Sequence, residues 1–115
     1  MTDWLTRFQN AQEQIEKTGK DYAHKKALSW QMQELTSSIK STLILEALSE
    51  NPKTSQVKAE AIAKNSDRYV THIKGTAVAI EEELTAKARY EKAIAHHESL
   101  RSLISLDKKL DGQTG

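Results

Sequence analysis

The sequence predicts an all-α fold. It reads as a long antiparallel helical hairpin, coiled-coil-like, with an N-terminal helix and a short helix at the hairpin tip, completed by dimerisation. Three observations predict it. One proline and four glycines leave little material for turns, and two of those glycines fall in the last four residues. Aromatic residues are scarce while Ala, Leu, Glu, Lys and Gln are plentiful, which favours helices over strands. Apolar residues recur in steps of three and four along most of the chain, the spacing of one helix face.

The longest such stretch runs from Ser66 to about Leu106 without a proline and with Gly75 alone. Tyr69, Ile73, Ala77, Ile80, Leu84 and Ala88 share one face of it. At about 1.5 Å per residue, a helix of this length is roughly 60 Å long. Its length has to be covered by the rest of the chain or by another copy.

At the start, Thr2 or Asp3 suits an N-cap. Trp4, Phe8, Ala11 and Ile15 then form an apolar face, opposite Gln9, Asn10, Glu13, Gln14 and Lys17. This segment is expected to dock on the main helices, and it also suits a partner-binding or swapped arm. Thr18-Gly19-Lys20-Asp21 is the first expected break, or a kink, because glycine within a helix costs only about 1 kcal/mol relative to alanine. From Tyr22 to Ser49 a second helix carries Leu28, Met32, Leu35, Ile39, Leu43 and Ala47 in one stripe, with Trp30 off it. Pro52 enforces a loop over Ser49–Thr54. Thr54 or Ser55 then caps a short helix to about Lys64, and Ser66 caps the long one.

Past Ala88 the stripe moves to a displaced face through Tyr90, Ala93, His97, Leu100 and Ile104, with Leu103 and Leu106 beside it. Residues 1–108 read as one helical domain and 109–115 as a flexible tail. Two facing stripes make a marginal core against the entropy of ordering the chain, about 1–2 kcal/mol per residue. Dimerisation is therefore expected, with Leu28, Leu35, Ile39, Leu43, Ile73, Ile80, Leu84 and Leu100 as the self-association candidates.

Little in the chain points to catalysis. There is no cysteine, hence no disulfide framework and no thiol nucleophile. His96 and His97 are adjacent, so on a helix they diverge by about 100° and cannot chelate as an i, i+4 pair does. Glu81-Glu82-Glu83 splays around the helix as a solvated run. The chain reads as a non-enzyme with no cofactor and no metal. A net charge of +1 exerts no global pull on nucleic acid or membrane. The best local candidates for nucleic acid are Tyr22, Lys25, Lys26 and Trp30, with Arg89 and Lys92, where basic groups beside aromatic rings suit single strands. The N-terminus lacks the basic start and apolar run of a signal peptide, and no apolar run approaches a membrane span. A cytoplasmic protein is expected.

One set of residues carries a resemblance. Leu35, Ile39-Lys40-Ser41, Leu45-Glu46-Ala47, Lys53-Thr54, Ala59–Ala63, Ser66–Tyr69 with His72, Glu81–Arg89, Ala93 and Glu98–Ser102 are similar to a family of small helical proteins of tailed bacteriophages and prophages. Leu100 stands where that family usually carries a tryptophan. Genes of that family sit in the early region, near recombination or single-strand-annealing functions. The resemblance implies an accessory protein of phage DNA metabolism in a bacterial host cytoplasm. The family has no assigned catalytic residues, so none carry over. The expected mode of action is protein–protein binding in DNA recombination or host nuclease modulation, with direct single-stranded nucleic-acid binding as the rival.

Overall fold

The computed structural model describes residues 3–114. Three helices make an all-α hairpin: α1 (Trp4–Glu50), α2 (Gln56–Lys64) and α3 (Asp67–Thr114), with α1 and α3 antiparallel and in contact. Among the described residues there is no strand.

The predicted break at Thr18–Asp21 is absent, so the expected N-terminal helix and second helix are one element. Nothing in that stretch forbids helical geometry, and no glycine of the described chain has positive φ. Gly19 is there for space. A Cβ on it would lie 3.0 Å from Cε1 of Tyr90, so the ring can lie close against the α1 backbone. Thr18 donates its hydroxyl hydrogen to the Gln14 carbonyl one turn back, which keeps the turn closed.

The tip follows the expected chemistry. Asn51 Oδ1 accepts from the Lys53 amide at 3.2 Å and folds the chain around Pro52. Ser55 caps α2 by accepting from the Lys58 amide at 3.2 Å. Ser66 caps α3 by accepting from the Tyr69 amide at 3.2 Å, while its hydroxyl donates to the Ala63 carbonyl at 2.8 Å. Asn65 closes α2, its side chain donating to the Ala61 carbonyl at 2.8 Å. At the other end, Asp3 accepts from the Arg7 amide through its carbonyl, which starts α1. Thr2, the other predicted cap, lies outside the described residues. At the C-terminal end, α3 continues through Thr114, and Gly115 lies outside the described residues.

The chain divides into two compact units. The first pairs the N-terminal part of α1, through His24, with α3 from Leu84 onward. Its facing residues are Trp4, Phe8, Ala11, Ile15, Thr18 and Tyr22 on α1, and Ala86, Tyr90, Ala93, His97, Leu100 and Ile104 on α3, all buried or half-buried. Phe8 lies on the His97 ring at 4.6 Å between centroids, and Tyr22 on Tyr90 at 5.9 Å. Trp4 Nε1 and His97 Nε2 are buried here without a hydrogen-bond partner. The second unit spans Lys25–Glu83. Its facing residues are Lys25, Ser29, Met32, Thr36, Ile39, Leu43 and Ala47 on α1, and Tyr69, His72, Thr76, Ala79 and Glu83 on α3. Ala59 and Ala63 of α2 are buried in the same unit.

On each helix these residues advance by alternating steps of three and four, with one extra four-residue step into Ala47. That is the heptad repeat of a coiled coil. The displaced stripe expected after Ala88 is therefore the true seam, and it begins at Tyr69. The stripe Ile73, Ala77, Ile80, Leu84 and Ala88 lies outside the seam and is exposed.

If this seam is correct, truncations should separate by position. Leu100→Ala, at a site only 5% exposed, should lower stability by about 2–5 kcal/mol, as core truncations of leucine do. Leu84→Ala, at a site 57% exposed, should change a dilute monomer by less than about 0.5 kcal/mol. Urea unfolding followed by circular dichroism reads both.

Candidate interaction surface

The large apolar side chains of the Lys25–Glu83 unit sort by their offset from the seam. Leu28 and Leu35 each precede a seam residue, Ser29 and Thr36, by one position. Val70, Ile73, Ala77 and Ile80 each follow one, namely Tyr69, His72, Thr76 and Ala79, and Trp30 follows Ser29. In an antiparallel pair, positions one after the seam on both helices share a side, and positions one before it share the opposite side. Trp30 and the α3 stripe thus lie on one broad side of this unit, and Leu28 and Leu35, with Val78, which precedes Ala79, on the other. Trp30 is 62% exposed and Leu35 50%.

The self-association candidates divide accordingly. Leu28, Leu35, Ile73, Ile80 and Leu84 are exposed. Ile39 is half-buried in the seam. Leu43 and Leu100 are buried within the hairpin at 8% and 5%, which corrects their assignment: they are core residues of the single chain. Hydropathy alone could not separate the two groups, because leucine and isoleucine occupy both.

A polar latch fixes which face is left outside. Thr36 Oγ1 and His72 Nε2 are 2.9 Å apart across the two helices. Both neighbouring threonine hydroxyls have carbonyl acceptors on their own helices: Thr36 the Met32 carbonyl at 3.3 Å, and Thr76 the His72 carbonyl at 2.8 Å. Thr76 Oγ1 also lies 3.4 Å from His72 Nε2, so the ring nitrogen sits between two threonine hydroxyls, and the histidine tautomer sets which group donates. Beside this latch the helices approach through small residues. Ser29 is fully buried, its hydroxyl accepting from Gln33 Nε2 at 3.0 Å. A Cβ on Gly75 would meet Met32 Cε at 3.2 Å. Bulkier residues at these positions would force the helices apart, so the small seam and the outward-facing isoleucines belong to one arrangement.

The nucleic-acid candidates are dispersed. Tyr22 is half-buried and packs on Tyr90. Lys25 is half-buried and pairs with Glu82 at 3.5 Å. Both lie on the α1 face that meets α3. Lys26 and Trp30 lie outside that face and are exposed. Arg89 and Lys92 belong to the other unit, where they line a shallow hollow of about 300 Å³ with Gln14, Thr18, Ala93 and His96. The hollow holds three basic side chains on one face, and His96 was not among the predicted nucleic-acid residues. Its signal was present in the sequence: Arg89, Lys92 and His96 recur in steps of three and four.

Among the described residues no group of three or more His, Cys, Asp or Glu side chains could hold a metal ion. His96 is exposed and His97 lies in the seam against Phe8. Glu82 is engaged by Lys25, and Lys87 pairs with Glu91 at 4.0 Å on the surface. No helix of the described residues is long and apolar enough to cross a membrane. No known protein family, no characterised protein and no solved structure matches the chain.

The latch makes a measurable claim. Thr36→Val should remove the shorter of the two hydroxyl partners of His72 Nε2 and cost about 1–2 kcal/mol. Adding His72→Leu should return most of that loss, because an apolar pair leaves nothing unsatisfied. A double-mutant cycle by urea denaturation gives the coupling, and a coupling of zero would remove the latch from the fold's energetics.

Proposed function

We propose that this chain is a non-enzymatic, phage-type accessory protein that works in the host cytoplasm by protein–protein binding, in DNA recombination or in modulation of a host nuclease. The observation that carries the binding reading is the large apolar surface left outside the seam. Leu28 and Leu35 on one side of the Lys25–Glu83 unit, and Trp30, Val70, Ile73 and Ile80 on the other, are all exposed. Exposed apolar side chains aligned at helical spacing are the anchors by which one helix receives another. The phage context rests on the resemblance of residues 35–102.

A second reading has one observation of its own. Arg89, Lys92 and His96 gather around the same hollow, and such a cluster suits phosphates of a single strand. It is the weaker reading because Tyr22 and Lys25 already have partners inside the hairpin.

Sedimentation velocity separates the two. The purified chain should co-sediment with a purified phage single-strand-annealing protein or a host recombination nuclease, and Leu35→Asp should abolish that complex with helicity intact. A fluorescent single-stranded oligonucleotide should stay at its own slow boundary at moderate salt. If the label instead moves with the chain, is released as salt rises, and is lost in Arg89→Glu with Lys92→Glu, the nucleic-acid reading replaces the first.

A further inference from the structure

We propose that a second copy of this chain covers the Val70–Ile80 side, with the two α3 helices antiparallel about a two-fold axis near Ala77. The inference rests on the binding reading above and names the occupant of one of its two faces.

The first argument is symmetry. Ile73, Ala77 and Ile80 advance by four and three residues along α3, the repeat of a coiled-coil seam. By size the series reads large, small, large from either end. A two-fold contact requires a patch complementary to itself, and this order satisfies it. Rotation about Ala77 brings Ile73 toward Ile80 of the second copy. The two alanines meet at the centre, where small side chains let the helices come close.

The second argument is charge. Lys74 follows Ile73 by one position and Glu81 follows Ile80 by one, so both stand at the same edge of the stripe. The rotation that pairs Ile73 with Ile80 carries Lys74 toward Glu81 of the second copy, and Glu81 toward its Lys74. Both residues are exposed, and neither makes an ion pair with another described residue. In a parallel, in-register pairing the equivalent edges lie on opposite flanks of the contact, so Lys74 would not meet Glu81 of the second copy at all. The two charges therefore select the antiparallel arrangement, though each exposed pair adds little raw affinity.

The third argument is position. The Thr36–His72 contact sets the antiparallel register, and six residues back along α1 this brings Trp30 level with Val78. Trp30 follows its seam residue, Ser29, as the stripe residues follow theirs, so it stands on the side of the stripe and close to its midpoint. An exposed tryptophan at the centre of an interface is the usual anchor.

The chain has no cysteine, so a single introduced thiol reports on its own position. Under mild oxidation Ala77→Cys should give a disulfide-linked dimer, and Leu35→Cys, on the opposite side, should not. By sedimentation the wild-type chain should be a dimer at micromolar concentration. Ile80→Asp should make it monomeric with unchanged circular dichroism per residue, because Ile80 lies outside the single-chain core. Lys74→Glu should weaken the dimer about tenfold, and Lys74→Glu with Glu81→Lys should restore it. In a Trp4→Phe background, Trp30 emission should shift to the blue across the same concentration range. A wild-type monomer at every concentration overturns the proposal, and so does a dimer that links through Leu35→Cys and ignores Ile80→Asp. Loss of this pairing with the Leu35-dependent partner complex intact would sink the pairing alone. A dimer of the expected behaviour with no partner complex would sink the accessory-binding reading alone.

Discussion

The constraint on which the Lys25–Glu83 unit depends is that, over Ser29–Thr36 and His72–Ala79, its two long helices meet through small and polar side chains with Met32 as the one large apolar residue. Ser29, Thr36, His72, Thr76 and Ala79 occupy positions where a coiled coil ordinarily carries leucine or isoleucine. Such a seam has two consequences. The Met32 side chain fills the space above Gly75, where an added Cβ would lie 3.2 Å from its Cε. The polar groups must also satisfy one another, as His72 does with Thr36 and Ser29 with Gln33. A half-satisfied polar seam would be worse than an apolar one, so the threonine hydroxyls that bond back to their own helices are part of the same solution.

That seam also limits what the hairpin gains from folding. Burial stabilises by about 25 cal/mol per Å² of apolar surface, and serine, threonine and alanine supply little of it. The isoleucines and valines that could supply more sit one residue further round α3, in solvent. The other unit is built differently. Phe8 on His97 and Tyr22 on Tyr90 give it a partly aromatic seam, and Leu100 is buried within it. The two units thus answer the same geometric problem with different chemistry, and the one with less apolar seam carries more apolar surface outside it.

This division explains what the sequence disclosed and what it concealed. Helix content, the loop at Pro52 and the caps at Ser55 and Ser66 were legible because each has a local cause: a missing donor, a fixed φ, or a side-chain oxygen within reach of an amide. The continuity through Gly19 was not, because a glycine that ends a helix and one that admits an opposing ring look alike until Tyr90 is seen against it. The core face was misjudged for a related reason. Periodicity of apolar residues finds the apolar face, and around Ile73 and Ile80 that is not the face toward the partner helix. From Tyr90 to Ile104 the seam is apolar enough to be found by the same rule, and there the expectation and the structure agree. The nucleic-acid candidates of α1 do not share one face, because proximity in sequence along a helix sends Tyr22 and Lys25 inward and Lys26 and Trp30 outward.

An apolar stripe on a helix that already has a partner is a demand for a second one, and its form bears on what that partner is. A stripe for an unrelated protein need carry no internal symmetry. Here the order of sizes about Ala77 and the opposed charges of Lys74 and Glu81 are both symmetric about nearly the same point, and the register set by Thr36 and His72 brings Trp30 to it. These three features have different physical origins: packing volume, electrostatics, and the register of the hairpin. Their agreement is what favours a second copy on that side. The opposite side carries Leu28, Leu35 and Val78, and under the proposal it is the side left for a different protein. A chain built this way would use one face to assemble and the other to bind.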